Sequence, residues 1–556
     1  MKERDEGFVC FTDNDQINRL LNKLVSNIRE FTEEQTSHIR QMTRIGAALS
    51  AERNLDRLFE MIVEEARRYT CADGGTLYIM SDDETALHFA IVQNDTLKVC
   101  MGGTSGKISW HPVMLKNADG SPNYANVSAY AAISGEVVNI PDVYNAKGFN
   151  FEGTRKFDAE TGYRSRSMLV VPMRNHENDI IGVLQLLNAL DTVTGEVIVF
   201  SLESQRMAES LASQAAVALS NNRLIYELEN LLESFIRTIA TAIDEKSSYT
   251  GGHIRRVADL TMAMARKINE AKEGPYADVY FNEDQMEELR IAAWLHDVGK
   301  ITTPEYIIDK AQKLETICNR IELLKTRFEV IKRDHEIGLL RRGIGRNWDS
   351  GREVVLAEDD GFIEALREDF NFLVAANIGG EYMADEMIER LKNIGRRQWV
   401  MDGKPQPLLS DNEIYNLSIR RGTLTAEERD IINNHAALTH KMLSQLPLPK
   451  KLRHLPDYAA AHHEKLDGTG YPSGLKGDQL PLQSRILALA DVFEALTAKD
   501  RPYKKGKTLS EAMKIMELMV ADHHLDSNLF DLFIKERIYL DYVQKELAPQ
   551  QVEVDR

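Results

Sequence analysis

A chain of 556 residues exceeds what one hydrophobic core organises, so two or three domains are expected. Hydrophobic residues make up 43% and charged residues 28%, and no apolar run approaches the ~18 residues of a membrane span, which excludes a membrane-embedded class and predicts a cytoplasmic protein. The net charge of −18 argues against nucleic acid polymers and anionic membranes as partners, and an anionic substrate would need a locally positive pocket.

The charged N-terminus, MKERDEGFVC, lacks a signal-peptide core. Residues 14 to 50 read as helix, because Ile17, Leu20, Leu24, Ile28 and Phe31 recur at three- and four-residue steps; residues 1–50 are taken as a helical segment. From 51 to 200 the period changes to that of an α+β domain. Leu55 to Arg68 is an amphipathic helix, and residues 74–80, 86–92, 167–173 and 180–189 have the length and branching of strands, the last two joined by the polar turn RNHEND. Residues 201–245 return to helix, with Ile225, Leu228, Leu232, Phe235, Ile239 and Ala242 on a heptad seam that suits a parallel homodimer. Beyond 245 strand signals fade, and 246–545 reads as an all-α domain.

Cys10, Cys71, Cys100 and Cys318 show no paired spacing, so a metal would rest on His and carboxylate. Five stations supply these: TGGHIRRV with His253, AAWLHDVGK with His296, Asp297 and Lys300, IINNHAAL with His435, AAHHEKLDG with His462 and His463, and LALADVFEAL with Asp491. Singly, each reads as a satisfied polar group on an apolar face. Together they would bury several charges without partners, a cost that a divalent metal pair removes. Imidazole and carboxylate donors suit transition metals, with Fe or Mn favoured and Zn, Co or Ni also compatible. Adjacent residues on a helix diverge by roughly 100°, so His-Asp and His-His pairs serve neighbouring ions from a helix end or beside an axial groove.

HDVGK and HHEKLDGTGYP resemble the signatures of the HD-GYP family, metal-dependent phosphodiesterases of the HD superfamily that hydrolyse cyclic dinucleotides. The resemblance covers about residues 237 to 310 and 420 to 520. It implies that His253, His296, Asp297 and Asp491 hold one ion, with Asp297 bridging to a second held by His435, His462 and His463. It implies phosphate contacts from Lys300, Arg501 and Lys504, and a catalytic part for Asp297 and Lys300. Two ions would activate water and neutralise the phosphoryl oxygens during in-line displacement. The loop with Gly470, Tyr471 and Pro472 borders the active site in the family and serves partner recognition, so Tyr471 is not expected to act chemically.

Two departures from the family pattern stand out. Tyr249 occupies the place where some members carry a Glu for a third ion, so two metals are expected. The segment from Ala311 to Arg420 is an insertion of charged amphipathic helix between YIIDK and RGTLTAEERDIINNH. His335 lies within it. It could pass for the ligand, but His435 is preferred because GTLTAEERDIINNH resembles the family's Thr-capped helix ending in His, with Thr425 as N-cap and Glu428 three residues on.

The pattern from 51 to 200 resembles a GAF domain. NAKGFNFEGTRKFDAETGYRSRSMLVVPM is similar to the variants that bind cyclic nucleotides in animal phosphodiesterases. Asn145, Lys147, Phe149 and Asp158 are candidates for that pocket or its supporting structure; equally, Asp158 and Thr161 cap local turns.

These readings combine into a multidomain fold: a GAF sensor, a long connecting helix and an all-helical HD-type domain with a helical insertion. The expected function is hydrolysis of cyclic di-GMP to linear pGpG or GMP under GAF control. An HD phosphohydrolase for 3′,3′-cGAMP or another nucleotide is one alternative. A non-catalytic module that senses a dinucleotide, or docks a protein through the GYP loop, is another.

Overall fold

The computed structural model describes residues 11–12, 14–246, 252–343, 360–380, 382–498 and 506–552. They form two compact units, Met1–Leu231 and Leu232–Arg556.

In the first unit, helices α1 (Asp15–Ala51) and α2 (Leu55–Thr70) precede an antiparallel sheet. Asn14 and Asn54 cap the two helices by accepting hydrogen bonds from backbone N–H groups of the first turn. The strands are β1 (Ala72–Met80), β2 (Ala86–Asn94), β3 (Val99–Gly102), β4 (Val113–Met114), β5 (Val138–Ile140), β6 (Met168–Arg174), β7 (Ile180–Leu190) and β8 (Val197–Ile198). Their order is β3-β2-β1-β7-β6-β5, with β4 beside β2 and β8 beside β7. The β6–β7 hairpin falls where the branched runs around RNHEND predict it, with Leu169 opposite Leu186.

Strand alternation divides the core between the two faces. Leu77, Leu169, Val171 and Leu184 pack with Leu58, Ile62 and Ala66 of α2 and with Ala208, Leu211 and Ala215 of α5 (Leu202–Lys246). Tyr78, Met168, Val170 and Val183 face the other way, toward α3 (Val127–Ser134) and the loop before α4 (Glu152–Thr161).

In the second unit, helices α6 (His253–Glu270) and α7 (Glu283–Leu295) are followed by the 3-10 turn Val298–Thr302 and the short α8 (Glu305–Ile308). Helices α13 (Ala426–Leu443), α14 (Leu455–Ala460) and α15 (Leu482–Thr497) follow the insertion, and α16 (Leu509–Ala521), α17 (Ser527–Lys535) and α18 (Tyr539–Glu546) close the unit. Leu260, Met264, Leu289, Leu489, Phe493 and Phe533 form its main core. A second cluster joins Ile236, Ala240 and Ile243 of α5 to Ile291 and Leu295 of α7 and to Leu443 of α13. The heptad residues on the other side of α5, Ile225, Leu228, Leu232, Phe235 and Ile239, stay exposed.

The insertion folds around its own core of Leu314, Leu324, Phe328, Leu373, Leu391, Leu408 and Leu417. It holds α9 (Ile321–Gly343), α10 (Asp360–Ile378), α11 (Asp385–Gly395) and α12 (Asp411–Leu417). It also holds a hairpin of β9 (Gln398–Met401) and β10 (Lys404–Pro407), so this part is not purely helical. The turn Asp402-Gly403, both at positive φ, closes that hairpin; its strands are too short and too polar for periodicity to reveal them. No helix among the described residues is long and apolar enough to cross a membrane.

Candidate metal centre

The metal-ligand candidates come from elements that pack for apolar reasons and end at one point. Packing of α6 on α15 brings His253, the first residue of α6, to Asp491 in the middle of α15. Helix α7 stops at Leu295, so His296 and Asp297 leave from its end rather than from its side. His462 and His463 lie in the 3-10 turn Ala461–His463 that follows α14. Both adjacent pairs therefore sit where the helical divergence of roughly 100° no longer constrains them. His435 points inward from α13, whose N-terminus is closed by a capping box between Thr425 and Glu428.

Gly299 permits the last approach. A Cβ there would lie 2.0 Å from the His435 carbonyl oxygen and 2.8 Å from the Thr439 nitrogen, so only glycine lets the HDVGK turn lie against α13. Thr439 fastens the contact: its hydroxyl accepts from the Gly299 N–H at 3.0 Å and donates to the His296 carbonyl at 3.1 Å.

Asp297 lies at the centre. Its Oδ2 is 3.6 Å from His253 Nε2 and 3.3 Å from His296 Nε2, while its Oδ1 is 3.4 Å from His435 Nε2 and 3.9 Å from His462 Nε2. Asp491 Oδ1 stands 3.4 Å from His253 Nε2. The donor atoms of His253, His296 and Asp491 lie within 4.8 Å of one another, and so do those of His435, His462 and His463. Lys300 reaches the same carboxylate, with Nζ 2.6 Å from Asp297 Oδ2.

The imidazoles are oriented from behind. The Nδ1 atoms of His296, His435 and His462 donate to the carbonyls of Ala293, Ile432 and Ala459 at 2.7, 2.5 and 2.6 Å, which leaves each Nε2 with a lone pair. Those Nε2 atoms and Asp297 Oδ1 are buried without a hydrogen-bond partner among the described residues. Four orphaned acceptors in one place would cost several kcal/mol, and a cation removes that cost. The residues therefore fit a pair of divalent metals by donor chemistry as well as by position.

The electrostatics agree. Burial, reinforced by the neighbouring imidazoles of His463 and His296, holds His462 well below the usual histidine range, and burial pushes His463 down to about 3. Burial opposes the charge on Asp297, but Lys300 and His296 hold it well below the carboxylate range. Asp491 is lowered likewise, its burial outweighed by His253. Burial also pulls His253 down, yet Glu494 and the two aspartates raise it well above its ordinary value.

Glu494 is absent from the sequence reading. It is buried, bonded to His253 Nδ1 at 2.5 Å and to Arg256 at 2.7 Å. One signal existed: a carboxylate three residues after Asp491, on the same face of an otherwise apolar helix.

Arg501, Lys504 and Tyr249 lie outside the described residues. Of the GYP loop, Tyr471 lies beside the histidines, its ring centroid 4.9 Å from that of His463, while Gly470 lies against the Glu464 and Lys465 backbone and Pro472 follows Tyr471 in the chain. His335 is elsewhere, stacked on Phe362 at 4.1 Å within the insertion. In the first unit, Asp158 accepts from the Tyr144 hydroxyl, the Ser165 N–H and the Ser165 hydroxyl at 2.9, 2.9 and 2.8 Å. Phe149 packs between Tyr130 and Phe151, Asn145 donates to Asp142, and Lys147 is exposed. Asp158 thus ties local loops together, as a capping residue does.

Comparison with known proteins fits this architecture. Residues 54–219 match the GAF domain family, and residues 250–353 and 411–529 match two HD domain families. The chain joins a GAF domain to an HD domain. A 3′3′-cGAMP-specific phosphodiesterase of Vibrio cholerae is 49% identical over 79 residues, 14% of this chain and 18% of its own length. A cyclic di-GMP phosphodiesterase of Thermotoga maritima is 39% identical over 99 residues, 18% of this chain and 26% of its own. The chain spans about a third or less of the length of the curated relatives it matches. The solved GAF domain of an Acinetobacter phosphoenolpyruvate-protein phosphotransferase is similar over 34% of this chain and 98% of its own, at 12% identity and a TM-score of 0.26.

Proposed function

We propose that the HD domain is a two-metal phosphodiesterase of the HD-GYP type acting on a cyclic dinucleotide, cyclic di-GMP first. One observation carries this reading: the two oxygens of Asp297 face separate groups of imidazole nitrogens, and three of those nitrogens are otherwise orphaned. His253, His296, Asp297 and Asp491 would hold one ion, and Asp297, His435, His462 and His463 the other. Bound there, two divalent ions would supply Lewis-acid polarisation of the phosphodiester and activation of water.

The chain's own residues do the rest. Backbone carbonyls behind His296, His435 and His462 fix each ring so that Nε2 faces inward. Lys300 keeps Asp297 ionised and places an ammonium at the edge of the centre for a phosphoryl oxygen. By resemblance, Arg501 and Lys504 hold the same phosphate. The product is linear pGpG, or GMP after a second cut. Names given to the relatives support both cyclic di-GMP and 3′3′-cGAMP, so 3′3′-cGAMP stands as the second reading.

Metal counting on anaerobically purified protein, with hydrolysis of both dinucleotides by the native chain and by Asp297→Ala, tests the proposal. About two transition-metal ions per chain and at least a thousandfold loss in the variant are expected, since Asp297 serves both ions. Equal rates in the two proteins would refute it.

Regulation by a GAF ligand through a dimer is proposed on the exposed seam of α5. Apolar side chains at heptad spacing are stable in water when paired with a second copy. Sedimentation of a Leu228→Glu, Phe235→Glu double variant is expected to show a monomer where the unmodified chain is a dimer.

A further inference from the structure

Glu464 follows the histidine pair and is 2% exposed, yet among the described residues its carboxylate partners are backbone N–H groups rather than a cation. Its carboxylate is held by backbone hydrogen bonds from a loop instead. Oε1 accepts from the Ser473 N–H at 2.6 Å and the Gly474 N–H at 3.1 Å, and Oε2 accepts from the Leu475 N–H at 3.0 Å. Three backbone donors on one buried charge form a fixed nest, with charge-assisted bonds stronger than those among neutral groups.

The rest of the loop is drawn in by the same anchor. The backbones of Asp467 and Lys476 pair in an isolated antiparallel bridge at the loop's base. A Cβ on Gly470 would lie 2.4 Å from the Lys465 nitrogen and 2.5 Å from Glu464 Cα, so the chain passes directly over Glu464. The Tyr471 N–H donates to the His463 carbonyl at 3.3 Å. This path sets the Tyr471 ring beside two metal-ligand candidates, with centroids 4.9 Å from His463 and 6.5 Å from His435.

We propose that Glu464 is a positioning residue for substrate: it clamps the Asp467–Lys476 loop so that Tyr471 walls the cleft beside His463 and offers its ring and hydroxyl to the bound phosphodiester. The proposal rests on the phosphodiesterase reading and deepens it. It also moves Tyr471 from the partner-recognition role that the family resemblance implies to a contact inside the cleft.

The test uses the full chain, metal-loaded, as Glu464→Gln, Glu464→Asp and Tyr471→Ala. Hydrogen exchange at the Ser473, Gly474 and Leu475 amides is expected to accelerate in Glu464→Gln, less so in Glu464→Asp, and to stay unchanged in Tyr471→Ala. Bound metal is expected to be the same in all. The KM for cyclic di-GMP is expected to rise about tenfold in Glu464→Gln and Tyr471→Ala, with kcat within about threefold. Unchanged exchange in Glu464→Gln overturns the clamp. Loss of metal, or a fall in kcat at constant KM, overturns the positioning role and assigns Glu464 to holding His463. Should Glu464→Gln fail to fold, Tyr471→Ala with an unchanged KM is enough to refute the wall. Faster exchange in a chain whose native form cuts no cyclic dinucleotide overturns the phosphodiesterase reading and the substrate role while the clamp itself stands.

Discussion

Asp297 and Glu494 are both buried carboxylates, yet their surroundings give them different work. Asp297 offers one oxygen to each side of the centre, whereas Glu494 spends its oxygens on His253 Nδ1 and Arg256. Replacing a carboxylate behind a metal-binding imidazole weakens metal affinity by about 10–100-fold. Metal titration of Glu494→Gln is expected to show a loss of that size with the helical circular dichroism unchanged; native affinity would leave Glu494 a purely structural partner of Arg256. At this scale the ligand candidates were legible because imidazole and carboxylate are rare on apolar helix faces. Glu494, Gly299 and Thr439 were not, because their roles are relations to residues far away in the chain. Nothing local in HDVGK tells that the glycine must admit the carbonyl of His435.

Elements were legible where period and capping agreed. The strands β1, β2, β6 and β7 and the helices α2 and α5 appear where alternation and heptads predict them. The β9–β10 hairpin was missed because four-residue strands carry too little period to read.

Two buried lysines tie the two ends of the insertion together at its base. Lys310 meets Glu428 of the α13 capping box at 2.7 Å, and Lys313, wholly buried, donates to the carbonyls of Leu417 and Ile419 at 3.1 and 2.7 Å. Burial pushes the Lys313 ammonium down to about 8 from its ordinary 10.5. Between those values the unfolded chain binds more protons than the folded one, so stability rises with pH across that window. Relative to Lys313→Met, the native chain is expected to gain roughly 3 kcal/mol from pH 8 to 10.5. Denaturant unfolding at the two pH values measures it, and parallel curves would show that the lysine is not desolvated.

For the whole molecule, two units with separate cores imply two thermal transitions, only one of which depends on metal. A metal that binds the folded HD domain at 100 times its Kd adds about 2.7 kcal/mol. Calorimetry with and without a chelator is expected to move the HD transition alone; a shift of the GAF transition instead would place the metal elsewhere.

Residue type and periodicity, both local properties of the chain, were enough to specify an α+β domain, a heptad helix, a helical domain and the set of candidate ligands. Three matters waited for the tertiary structure: which atoms of those ligands face one another, which groups behind them hold their orientation, and that the loop after His463 is clamped by Glu464. These are distances between segments remote in sequence. They follow from how apolar faces close on one another, and a buried polar group has a determined role only once its partners are in place.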